Sequence, residues 1–74
     1  MKVTILPHAA DRMEEFEVSA MDVYRVMSEP DEQGQANLGR LYAQRTIGNR
    51  KIRVVYNLGA EDERIVVTAM LRRK

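Results

Sequence analysis

Gly48-Asn49, set between "RLYAQRTI" and "RKIRVVYN", is the feature that most narrows what this chain can fold into. Two turn formers between runs rich in β-branched and aromatic residues signal a two-residue hairpin. The turn then dictates a register in which Ile47 faces Arg50, Arg45 faces Ile52, Ala43 faces Val54 and Leu41 faces Tyr56. Directly opposed residues share a face of the ladder. One face therefore carries Leu41, Ala43, Arg45, Ile47, Ile52, Val54 and Tyr56, apolar except at Arg45. The other carries Arg40, Tyr42, Gln44, Thr46, Lys51, Arg53, Val55 and Asn57. A slip of one residue would exchange the two faces, so the turn decides which side is core.

A third run, "RIVVTAML", follows a longer turn, "LGAEDE". Alternation along it predicts Ile65, Val67, Ala69 and Leu71 on the core face, with Arg64, Val66, Thr68, Met70 and Arg72 opposite. Upstream, "KVTIL" reads as a short strand ended by Pro7. Ala9, Met13 and Phe16 then recur at i, i+4 and i+7, the spacing of a helix face. Ser19 with Asp22 resembles a capping box, and Val18 with Val23 a hydrophobic staple. Val23, Val26 and Met27 form the apolar stripe of a second helix, which Pro30 stops near Ser28. "DEQGQANLG" is polar with two glycines and is expected to be a loop. The order is β-α-α-β-β-β: one α+β domain over residues 1–74, with two helices on one face of a small antiparallel sheet and a basic end, "LRRK", expected to fray.

Composition closes several routes. There is no cysteine and only one histidine. That leaves no disulfide, thiolate nucleophile or structural zinc site, implies no cofactor, and fits a reducing cytoplasm. No apolar run approaches the roughly 20 residues of a membrane helix. A chain of 74 residues buries a modest core, so a homodimer or a partner surface is in keeping with its size. The net charge of +1 hides a split. Residues 1–37 hold three Lys or Arg against eight Asp or Glu, a balance of −5; residues 38–74 hold nine against three, a balance of +6. The basic half suits phosphate or an acidic protein. The alternative is that the two halves neutralise one another in the fold.

Two sets of residues carry candidate chemistry. His8 and Arg12 are four apart and share a helix side. An imidazole can move a proton near neutral pH and a guanidinium can hold phosphate, the pair that phosphodiester cleavage needs. The bland reading is that His8 packs at the helix start while Arg12 pairs with Glu15. The second set is the cationic sheet face. Arg40, Lys51, Arg53, Arg64 and Arg72 can track a phosphate backbone, with Tyr42 for stacking. The same cations equally suit a sheet face that needs only solvation. Glu14 and Glu15 point about 100° apart on a helix and make no carboxylate pair. There is no Gly-rich phosphate loop and no GxSxG, and Met13, Met21, Met27 and Met70 read as core.

"PHAADRMEEFEVSAMDVYRVMSEP", "GRLYAQRTIGNRKIRVVYN" and "RIVVTAML", in that order, resemble the small bacterial and phage family of unknown function numbered four-two-five-eight. That family is similar to the RelE/ParE and BrnT toxin group, in which two helices pack on a small antiparallel sheet. Relatives in that group are often ribonucleases acting on messenger RNA and held by an antitoxin, or gyrase poisons. The resemblance implies function near His8 and Arg12 and on Arg40, Arg45 and Arg53. Phe16-Glu17 stands where the family usually has Arg-Gly, and Glu takes a left-handed helix stop less cheaply than Gly, so the turn between the helices is expected to differ. The combined expectation is a RelE-like domain that binds RNA and cleaves it. His8, Arg12 and Arg45 are the catalytic candidates. Arg40, Tyr42, Lys51, Arg53, Tyr56 and Arg72 would bind nucleic acid or a partner such as an antitoxin. The competing expectation is a non-catalytic phage or mobile-element protein that presents the same face to a protein partner.

Overall fold

The computed structural model describes residues 1–72, so the expected fraying of the basic end falls mostly outside the described residues. The elements are β1 (Lys2–Ile5), α1 (Pro7–Phe16), α2 (Ala20–Ser28), β2 (Glu32–Gln35), a single 3₁₀ turn (Asn37–Gly39), β3 (Leu41–Ile47), β4 (Arg50–Leu58) and β5 (Glu63–Arg72). Five strands form one sheet in the order β1-β5-β4-β3-β2. The architecture is α+β, as the hydrophobic pattern implies, with two departures. Residues 32–35 of the expected loop pair with β3 as an edge strand, Gly34 opposite Tyr42. And β1 runs parallel to β5, Lys2 opposite Glu63 and Ile5 opposite Val66, so the sheet is mixed.

The hairpin register is the one the turn dictates, from Leu41↔Tyr56 to Ile47↔Arg50. Gly48 alone of the turn pair has positive φ (66°), the requirement of a type II′ turn. The turn before β5 differs from its sequence signal. Its left-handed residues are Glu61 and Asp62, not Gly59, and Glu63 N–H donates to Ala60 O to close it.

Ala9 and Met13 of α1 and Val23, Val26 and Met27 of α2 pack on Ala43, Ile52, Val54, Tyr56, Val66 and Ala69 of the sheet. The capping box at Ser19 and Asp22 is complete, with bonds of 3.0 and 3.1 Å. Val18 and Val23 are both buried, as a staple requires. Helix α1 ends in a left-handed residue despite lacking glycine: Glu17 has φ 57° and ψ 44°. Glu17 thus takes the left-handed stop itself, held by one local bond and by Arg50 from the hairpin. Val18 N–H donates to Met13 O at 2.8 Å. Arg50 Nη2 donates to the carbonyls of Phe16 and Glu17 at 2.9 and 2.7 Å. Such bonds offset the 1 kcal/mol or so that a non-glycine residue costs in this conformation.

One expectation for β5 is overturned. A bulge between Val55 and Tyr56 shifts the register, so Val55 faces Thr68 but Tyr56 faces Val66. Ala69 and Leu71 keep to the core side, but below the bulge Val66 takes the core position in place of Ile65 and Val67. Alternation read straight through the run misses the extra residue. Arg64 moves with Val66 to the helix side of the sheet. There it pairs with Asp62 at 3.0 Å and lies 5.7 Å from the Tyr56 ring. Val66→Ala is therefore expected to cost about 2 kcal/mol of unfolding free energy, and Val67→Ala less than half of that. Equal losses in urea denaturation would place both side chains in one environment and contradict the bulge.

Candidate functional site

Helix α1 continues the line of β1 along the outer half of β5. One side of it bears His8, Arg12 and Phe16, spaced by four residues and so close to one stripe. This stripe meets the helix-free sheet face across β5. A groove of about 610 Å³ results, lined by Leu6, His8, Arg12, Phe16, Arg40, Val67, Thr68 and Met70. His8 and Arg12 are exposed, and Arg40 is half-buried. Arg12 Nη1 is 2.9 Å from Glu15 Oε1, an exposed ion pair of the kind that contributes little to stability.

A second groove, of about 800 Å³, lies at the hairpin end and is lined by Phe16, Thr46, Asn49, Arg50, Lys51, Leu71 and Arg72. Phe16 belongs to both. No Asp or Glu lines either groove, whereas Arg12, Arg40, Arg50, Lys51 and Arg72 do. Such a surface favours anions, and its apolar floor of Leu6, Phe16, Val67 and Met70 adds a place for a flat hydrophobic group.

Other predicted site residues lie elsewhere. Arg45 is on the helix side of the sheet, where its Nη1 donates to the Glu29 carbonyl at the end of α2. That contact gives α2 a cationic C-terminal cap. Tyr56 is 6% exposed within the core and offers no free ring face. Tyr42 and Arg53 do lie on the helix-free face, but they engage each other. The Arg53 guanidinium is 4.1 Å from the Tyr42 ring centroid. Arg53 Nε donates to Gln44 Oε1 at 2.8 Å, and Glu32 accepts from both Tyr42 Oη and Gln44 Nε2. A Cβ on Gly34 would stand 3.1 Å from the Tyr42 ring, so the edge strand also presses on it. Sequence reasoning missed this cluster because Glu32 sits in a segment read as loop. Its one signal was Gly34 flanked by glutamines.

The cluster leaves a titration signature. The Tyr42 phenol is raised above its ordinary 10.0, first by the hydrogen bond to the Glu32 carboxylate and then by desolvation, while Arg53 pulls the other way. Ionising Tyr42 would put two negative charges together.

A small α+β domain with a cationic groove along one helix is the class that fold and site define. Residues 5–71 match the family model described as Domain of unknown function (DUF4258). The chain belongs to that family. No curated protein and no solved structure matches it. Among the described residues no group of three or more His, Cys, Asp or Glu is arranged to hold a metal ion. No helix among them is long and apolar enough to cross a membrane.

Replacing Glu32 by Gln removes the carboxylate and is expected to lower the Tyr42 pKa toward the ordinary phenol value. Absorbance at the tyrosinate band during an alkaline titration, with Tyr42→Phe to assign the signal, reads this directly. A titration identical to wild type would mean that Glu32 does not hold the hydroxyl.

Proposed function

We propose that this protein binds single-stranded RNA in the groove between α1 and β5, and that His8 moves a proton there when the bound strand is cut. The observation that carries the reading is the convergence of His8 and Arg12 from α1 with Arg40 from the start of β3 on one groove without a carboxylate in its lining. Phosphate is the anion such a wall suits. Guanidinium groups hold its oxygens in pairs, and fixed positive charge favours the extra negative charge that develops on the phosphoryl oxygens during cleavage. Lys51 and Arg72 extend the cationic track toward the hairpin end. Arg45 and Tyr56 serve the fold in this reading, and Arg53 acts through Tyr42. Ribonuclease activity is the reaction class we propose, following the expectation from the sequence resemblance to the RelE/ParE group.

Binding to a labelled single-stranded RNA, followed by fluorescence anisotropy across a salt series, tests the claim. Four cations on the backbone, Arg12, Arg40, Lys51 and Arg72, predict a slope of log K against log salt of about −3. Arg12→Ala and Arg40→Ala should each flatten it by about 0.7. Arg25→Ala, on the outer face of α2, should leave it unchanged. Cleavage by the wild type that His8→Ala loses supports the proton-transfer role. Equal cleavage by both removes His8 from it, and failure to bind RNA at low salt sinks the proposal as a whole.

A further inference from the structure

We infer that Phe16 is the platform on which a base of the bound strand stacks, at the point where the two grooves meet. This deepens the RNA reading and rests on it. Phe16 is the one side chain that lines both grooves, so a strand reaching the cations of both comes against it. Arg12 and Arg40 lie to one side of it, Lys51 and Arg72 to the other. Phosphate held on both sides of an apolar floor leaves the intervening base to lie on that floor, and an aromatic ring is the floor that stacks.

The remaining aromatic residues are not free for this. Tyr42 is covered by the Arg53 guanidinium at 4.1 Å and by Gly34. Tyr56 is 6% exposed. Tyr24 lies on α2, away from both grooves. Phe16 is also the only phenylalanine in the chain.

The ring is preorganised. It is half-buried, packed against the core, and lines both grooves. Its backbone is held by the left-handed turn at Glu17 and by the Arg50 bond of 2.9 Å to its carbonyl. A platform that does not have to be ordered on binding loses less entropy when the base arrives.

Phe16→Leu keeps most of the apolar volume and should fold, while losing the stacking surface. Its affinity for a single-stranded hexanucleotide RNA is expected to fall about tenfold with an unchanged salt slope. Phe16→Trp gives the chain its only tryptophan, and its fluorescence should be quenched when the same RNA is added. If the wild type binds RNA but Phe16→Leu binds equally well and Phe16→Trp is not quenched, Phe16 is not the platform and the RNA reading stands without it. If the wild type fails to bind, the RNA reading falls and takes this inference with it. Should Phe16→Trp disturb the fold, the Phe16→Leu titration decides alone.

Discussion

Leu6 belongs to two structures at once, and the groove depends on that. Its N–H donates to Val66 O at 3.2 Å as the last bond of the parallel ladder, and its C=O accepts from Ala10 N–H at 2.9 Å as the first of the helix. Pro7 follows at the first helical position with its φ already set. The chain thus leaves the sheet within one residue. β1 covers four residues of a ten-residue β5, and α1 borders the rest. Had β1 continued, a strand would lie where His8, Arg12 and Phe16 now meet Thr68 and Met70. The bulge opposite Val66, at the level where β1 stops, does the complementary task. It turns Val66 into the core and leaves Val67 on the groove floor.

The charge split of the chain resolves along the same lines. Among the described residues, no Lys or Arg side chain of the second half pairs directly with an Asp or Glu of the first. The hairpin cations instead serve helix ends: Arg45 reaches the end of α2, and Arg50 the end of α1. The last carbonyls of a helix carry partial negative charge and lack internal partners, so a guanidinium there satisfies both. Arg53 is tied to Tyr42 and Gln44. Arg40, Lys51 and Arg72 line the grooves beside α1. The described cations of the basic half thus divide four ways: Arg45 and Arg50 cap helices, Arg53 stacks on Tyr42, Arg64 pairs with Asp62, and Arg40, Lys51 and Arg72 line the grooves.

How far the sequence could be read follows from which signals are local. The Gly48-Asn49 hairpin, the capping box at Ser19 and the stop before Pro30 are short-range, and the structure carries each of them where expected. The pairing of Glu32–Gln35 carries no such signal, although β2 and β3 are neighbours in the chain. A polar segment with a glycine becomes a strand because Tyr42 and Gln44 give Glu32 two partners across the edge. The bulge is equally silent, because Ile65, Val66 and Val67 are all apolar and alternation cannot say which points inward. At the site, the sharing of a helix side by His8 and Arg12 was legible. Their meeting with Arg40 was not, since it needs the parallel placement of β1. Phe16 was read as a core anchor from its i, i+4, i+7 spacing, yet it also continues the His8–Arg12 stripe and so stands between core and groove.

In the proposed reading the ligand lies in the α1–β5 groove rather than on the sheet face at large or the outside of α2. Backbone amide shifts of isotope-labelled protein, followed while a short single-stranded RNA is added, map it most directly. The largest changes are expected on His8, Arg12, Phe16, Thr68 and Met70. Met21 and Tyr24, exposed on the far side of α2, should stay still. Changes centred on α2, or confined to Glu32, Tyr42 and Gln44 with α1 unmoved, would contradict it.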